Sequence, residues 1–302
     1  MPVSTHDRLS ARYTHLMVDA IFRLVQALLH THQDILWRAA IFTVGAVSGF
    51  SLLRLLTKQI GLAWLGGAAL GIAALATVWG AEYFEPEPHF ILNKRNTSDV
   101  VPVGQSTLAW LADRVHGRKY LVLSFDDGPS TTRTDSEILA ILAKHHARAL
   151  FFSVCARAQS ANGRAALRAD AAAGDLVEDH SWTHPHLTQA TPKALRHEVA
   201  PSRAFLRQLT GQSVDLFRPP FGETDAAVRA QILQAGMQEV MWGANSEDSW
   251  LRKTSQIKYW SIRQAYNGAI LLMHSHASTA TALDATLTSL ERMGYRFVVP
   301  ES

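Results

Sequence analysis

Tyr120-Leu-Val-Leu-Ser-Phe-Asp-Asp-Gly-Pro129 is the stretch on which the reading of this chain turns. An apolar, β-prone run leads into two adjacent carboxylates. Gly128-Pro129 then ends the element, because Pro neither donates a ladder hydrogen bond nor continues a helix. Both acids therefore stand at the carboxyl end of a strand. Further along, His180-Ser-Trp-Thr-His184-Pro185 sets two histidines four apart, a spacing that can turn both imidazoles to one point. One Asp with two His offers oxygen and nitrogen donors and leaves coordination positions open. That is the pattern of a catalytic metal site rather than a structural one. The second Asp is then left beside whatever the metal holds.

Working outward from this stretch, β-prone apolar runs recur at residues 120–125, 149–154, 176–178, 214–217, 239–242, 269–273 and 296–299. Helical patterns lie between most of them, at 136–146, 161–173, 192–209, 225–235, 255–266 and 283–293. Thr191-Pro192 is a helix start, a capping hydroxyl followed by Pro in the first turn. Strands alternating with helices predict an α/β fold with about seven parallel strands, closed or nearly closed into a barrel. The unusual polar residues all follow strands: Asp126 and Asp127, then His180 and His184, Arg218, Asn245 and Asp248, and His274. In a parallel barrel the strand carboxyl ends share one face, where active sites are built.

The first eighty or so residues have another character. Residues 60–80, IGLAWLGGAALGIAALATVWG, lie in a stretch with no charge between Lys58 and Glu82. As a helix this segment reaches roughly 30 Å, about the thickness of a bilayer core. Residues 39–53 are also apolar but shorter, bracketed by Arg38 and Arg54, and either span, lie in the interface or pack on the stronger segment. Basic residues precede 60–80 and Glu82, Glu85 and Glu87 follow it, so a single span puts the following domain outside the cytoplasm. The division expected is residues 1–81 with one or two transmembrane helices, 82–117 as linker and lead-in, and 118–302 as the catalytic domain. The 302 residues carry 29 basic and 26 acidic side chains with no basic stripe, which argues against nucleic acid as a partner. The lone Cys155 excludes an intramolecular disulfide and lies in an apolar run, where a buried inert thiol is expected.

These residues resemble the NodB-type polysaccharide deacetylases, carbohydrate esterase family four, over about residue 120 to the end. Ser124-Phe-Asp-Asp-Gly-Pro129 is similar to the family's first motif, His180-x-x-x-His184-Pro to its second and Phe217-Arg-Pro-Pro-Phe-Gly222 to its third. Asn245-Ser-Glu-Asp248-Ser-Trp250 is a looser fourth, and Leu272-Met-His274 the fifth. Taken singly each has a bland reading: a turn, a solvated His pair, a surface Arg, a core His. Their joint order is what sets those readings aside.

The resemblance implies a distorted (β/α) barrel and a divalent metal, Zn²⁺ or Co²⁺, held by Asp127, His180 and His184. It implies Asp126 as general base, Arg218 as the partner of that carboxylate, and the backbone N–H of Phe221 as an oxyanion donor. His274 becomes the general acid, oriented by Asp248, with Leu272 and Trp250 walling the acetyl pocket. His145, His146, His186 and His276 take the structural reading; His276 is a rival to His274, but the apolar run ends just before His274. Departures from the pattern are Glu178-Asp179 where Gly-Asn is usual, Cys155 for Gly, Phe221 for Tyr, Asn245 for Asp, and the extra Ser249. The function expected is a membrane-anchored deacetylase of an N-acetylated glycan outside the cytoplasm, peptidoglycan or a chitin-like oligosaccharide. The alternatives are an O-acetyl esterase on the same scaffold and a non-catalytic glycan-binding membrane protein.

Overall fold

The computed structural model describes residues 88–301, together with Thr43, Val47 and residues 71–73. Among the described residues no helix is long and apolar enough to cross a membrane. The segments 39–53 and 60–80 lie outside the described residues apart from those five positions. The chain divides into two compact units, residues 1–87 with 105–118, and residues 88–104 with 119–302. In the first, helix α1 (Thr107–Val115) starts at Ser106, whose hydroxyl accepts from Ala109 N–H.

The second unit opens with an antiparallel hairpin, β1 (His89–Leu92) and β2 (Val100–Val103), in a region read from sequence as linker. The correction has a packing cause. Phe90, Leu92 and Val100 are buried, Phe90 lies 4.7 Å from the Tyr120 ring, and Val100 N–H donates to Gly268 C=O at 2.8 Å. Prolines and polar residues around these apolar positions mask a short two-stranded element.

Then follow β3 (Lys119–Gly128), α2 (Thr132–Lys144), β4 (Ala149–Ser153), α3 (Ala161–Ala172), β5 (Leu176–Asp179) and α4 (Pro192–Thr210). The rest is β6 (Leu216–Phe217), α5 (Ala226–Gln234), β7 (Gln238–Glu239), β8 (Ala244–Asn245), α6 (Thr254–Gln264), β9 (Ile270–His274), α7 (Ala277–Arg292) and β10 (Tyr295–Phe297). Helices α2, α3, α4 and α5 begin on Thr131, Ser160, Thr191 and Asp225, each accepting a first-turn N–H. Such caps satisfy donors that the helix itself leaves unpaired.

Seven parallel strands run in the order β7-β6-β5-β4-β3-β9-β8, with β10 parallel to the start of β3. β7 and β8 stand at the two ends of this path, so the sheet is an open barrel rather than a closed one. Both edge strands have only two residues, too short for a closing ladder.

Period-two alternation on β3 decides which residues reach the site. Leu121, Leu123 and Phe125 face outward onto Ile138 and Leu142 of α2 and Leu283 and Leu287 of α7. Tyr120 and Val122 face inward onto Leu150, Phe152, Leu216 and Ile270. Each such fully buried side chain contributes roughly 1.5–3 kcal/mol, and a one-residue slip would turn Ser124 and Asp126 into the apolar helix layer. The next inward positions are Ser124 and Asp126, which stand above an apolar floor at the strands' carboxyl ends.

Candidate active site

Arg218 immediately follows β6 and is fully buried. Its Nη1 donates to Asp126 Oδ1 at 2.6 Å and to Ser124 Oγ at 3.0 Å. Nη2 donates to Met241 C=O at 2.9 Å and Nε to Val240 C=O at 3.4 Å, while the guanidinium lies 4.0 Å above the Phe152 ring. A buried cation is costly unless paired and hydrogen bonded, and this one is paired and bonded through all three of its nitrogens. The Asp126 carboxyl is thereby fixed by one oxygen. The other, Oδ2, lies 3.8 Å from His180 Nε2.

Asp127 adopts φ 71° at a bulge in the β3–β4 ladder, which sends its carboxyl away from that of Asp126. Its Oδ1 lies 3.3 Å from His184 Nε2 and is buried without a hydrogen-bond partner. Donor atoms of Asp127, His180 and His184 all lie within 4.8 Å of one another. His180 Nδ1 contacts Arg218 C=O at 2.6 Å; as the carbonyl can only accept, Nδ1 carries the proton and Nε2 presents its lone pair to the site. Burial pushes the His180 imidazole down to about 4 and also lowers His184, so both favour the neutral form a metal requires. Burial works to raise the Asp127 carboxyl, but Arg157 and the surrounding histidines outweigh it and hold it below its usual value. An orphaned carboxylate oxygen and two neutral imidazoles fit a divalent ion of the Zn²⁺ or Co²⁺ type.

The two histidines meet through an irregular loop, not a helical turn. Ser181 and His184 have φ 72° and 66°. Asp179 accepts from Ser181 N–H at 2.9 Å and from Ser202 Oγ at 2.6 Å. Glu198 accepts from Thr183 N–H at 2.7 Å and Thr183 Oγ1 at 2.8 Å, and Ser181 Oγ accepts from His184 N–H at 2.9 Å. The sequence reading missed Glu198 and Ser202, although a signal exists. Both fall in the stripe Leu195, Glu198, Val199, Ser202, Leu206 that α4 buries, where polar residues are unexpected.

The Glu178-Asp179 departure divides in two. Asp179 braces the histidine loop. Glu178 accepts from Asp215 N–H at 3.0 Å and Leu216 N–H at 2.9 Å, anchoring the entry to β6, and burial pushes it up to about 8. Cys155 is buried with Sγ 3.6 Å from Ser202 C=O, and burial raises its thiol far from reactivity, as its apolar setting predicted.

His274 ends β9 directly beside Asp126 in the ladder. Its Nδ1 lies 2.7 Å from Asp248 Oδ1, and its N–H donates to Asp248 Oδ2 at 2.7 Å. Burial lowers His274, but the bond and charge of Asp248 more than offset it, so its pKa lies above the ordinary value. Ser249 therefore does not displace Asp248, which is fully buried and also receives the Thr279 hydroxyl. His276 lies parallel to His274 at 5.4 Å and is held low by burial and by that neighbour.

Leu272 is buried two residues before His274, level with Ser124. Trp250 differs from expectation. It is 71% exposed, with its indole N–H donating to Glu247 Oε2 at 2.8 Å, so it stands on the rim rather than closing a pocket. Phe221, with φ 60°, is also exposed and lies between His184 at 4.5 Å and His186 at 4.2 Å. Gly222 follows with φ +69° over Trp242, where a Cβ would meet Cη2 at 2.6 Å. The turn requires glycine there.

A family model described as polysaccharide deacetylase matches residues 113–240. The family 4 carbohydrate esterase of Streptomyces lividans is 31% identical with a TM-score of 0.56, covering 61% of this chain and 98% of that one. The chain belongs to the polysaccharide deacetylase family, carbohydrate esterase family four. Peptidoglycan-N-acetylglucosamine deacetylase PgdA of Listeria monocytogenes is 32% identical over 181 residues, 60% of this chain. The chain spans 38% of the length of that curated relative. A family 4 pseudoenzyme from Bacillus anthracis is also similar, 26% identical at a TM-score of 0.56, covering 60% of this chain and 63% of its own. Family membership alone therefore does not establish activity, and the residues of this site must carry that inference.

Proposed function

We propose that the chain is a metal-dependent deacetylase that hydrolyses N-acetyl groups of a glycan outside the cytoplasm, peptidoglycan or a chitin-like oligosaccharide. The observation that carries this is the juxtaposition, at one barrel mouth, of the Asp127–His180–His184 donors with Asp126 and His274 on neighbouring strands. A divalent ion held by those three donors supplies Lewis acidity, polarising the acetyl carbonyl and acidifying water near neutral pH. Asp126, fixed by Arg218, takes the proton from the attacking water. The N–H of Phe221 donates to the developing oxyanion. His274, with Nδ1 committed to Asp248, delivers a proton from Nε2 to the departing nitrogen. An amine is a poor leaving group, so an acid with a raised pKa suits an amide more than an ester. Leu272 bounds the space for the acetyl methyl, and Trp250 and Phe221 offer exposed rims to the sugar. The apolar segment 60–80 is the proposed anchor, with the catalytic unit on the outer side.

Membranes containing the full chain, right-side-out, should release acetate from N-acetylglucosamine oligomers or peptidoglycan fragments. Chelator should abolish the release, and added Zn²⁺ or Co²⁺ should restore it. Indifference to chelation sinks the metal role, acetate only from acetylated xylan transfers the reading to an O-acetyl esterase, and activity only in inside-out vesicles reverses the topology.

A second expectation concerns pH. His274 must be protonated to act, so activity falls as pH rises through its raised pKa. Asp248→Asn removes the group that raises it and should shift the alkaline limb of kcat/KM roughly one to three units lower, with metal content unchanged. An unmoved limb would remove His274 from the acid role.

A further inference from the structure

The bulge that turns Asp127 toward the histidines leaves its backbone without a strand partner. Asp126 is paired with Phe152 and Gly128 with Ser153, so Asp127 stands opposite nothing in the β3–β4 ladder. Its carbonyl instead accepts a hydrogen bond from Arg157 Nη1. Nη2 of the same guanidinium lies 3.6 Å from Asp127 Oδ1. Arg157 opens a short 3-10 turn after β4, and that turn is itself tied to the bulge. Arg157 N–H donates to Val154 C=O at 3.0 Å, and Val154 N–H donates to Gly128 C=O at 2.8 Å. Gly163 packs against the turn so closely that a Cβ there would lie 2.5 Å from Arg157 O.

We propose that Arg157 is a positioning residue for the metal site: it holds the bulged backbone of Asp127 by the carbonyl and flanks its carboxylate, fixing where that ligand points. The proposal rests on the reading of Asp127, His180 and His184 as metal holders. Two opposing effects follow from this geometry. A cation beside a ligand repels a metal ion, so removing it tightens binding. Loss of the carbonyl contact frees the bulge, and removing it weakens binding. Arg157 is 46% exposed, so its repulsion is screened and worth no more than about fivefold in affinity. Losing an outer-shell contact to a ligand costs roughly 10–100-fold. The positioning effect is the larger.

The test is Zn²⁺ affinity of the detergent-solubilised full chain, measured by competition with a chromophoric chelator. Arg157→Gln should weaken Zn²⁺ binding by about tenfold or more. Arg157→Lys, whose ammonium can still reach the carbonyl, should recover most of the loss. Because the side chain is half exposed, Arg157→Gln should fold, which metal-free melting checks. Zn²⁺ binding by Arg157→Gln as tight as or tighter than wild type overturns the role of Arg157 alone. Failure of the wild-type chain to bind Zn²⁺ overturns it together with the metal reading.

Discussion

Asp126→Asn should abolish most turnover, by about 10²–10⁴-fold in kcat, while leaving Zn²⁺ affinity within a few-fold of wild type. The amide keeps the shape of the carboxyl and can still accept from Arg218 Nη1, now at 2.6 Å from Oδ1. It cannot take a proton from water. Arg218 then faces a neutral partner while buried, but the Ser124 hydroxyl and the carbonyls of Val240 and Met241 stay in place. The fold should therefore survive, with a loss of about 3–5 kcal/mol for leaving a buried guanidinium opposite a neutral amide. Acetate release and equilibrium metal binding on the same preparation separate the two roles. Metal lost in Asp126→Asn but kept in Asp127→Asn would mean that the acids have been assigned in the wrong order, and equal loss would make both of them metal holders.

His184→Ala should lose metal and activity together. Removing a direct donor should weaken Zn²⁺ by more than the roughly 100-fold upper range of outer-shell changes. His184 is only partly buried, and its loop is held independently through Ser181 and through Thr183 on Glu198, so the barrel should stay folded. Its ring also supports Phe221 at 4.5 Å, so some change in KM is expected in whatever activity remains. Metal retained at wild-type affinity would remove His184 from the donor set. Asp127 and His180 would then be left as the candidate donors.

Much of the barrel is legible because its strands alternate and its helices carry caps. Residues 119–128, 149–153 and 270–274 stand out as near-continuous apolar runs ending in polar residues, the mark of parallel strands buried on both faces. Short elements are not legible. β6, β7 and β8 have two residues each, too few to show a period, so neither their bounds nor the opening between β7 and β8 can be read from sequence. Hairpin β1–β2 is hidden by the polar residues around it. Asp179 is visible as a departure from the family pattern, whereas Glu198 and Ser202 are visible only as polar residues in buried positions of α4.

By itself, the sequence determined that two acids end a strand, that a histidine pair, an arginine and a later histidine also end strands, and hence that all share one mouth. That follows from local pattern, because in a parallel sheet every carboxyl end lies on the same side. It could not decide where two adjacent carboxylates point, since neighbours on a regular strand merely face opposite ways. Only tertiary structure decided that. Asp126 stays in register and is clamped by Arg218, which follows β6 and lies 92 residues away, while Asp127 leaves the ladder at a bulge and turns to the histidines. Bulges and long-range ion pairs arise when the whole sheet is packed, and no stretch of local sequence contains them.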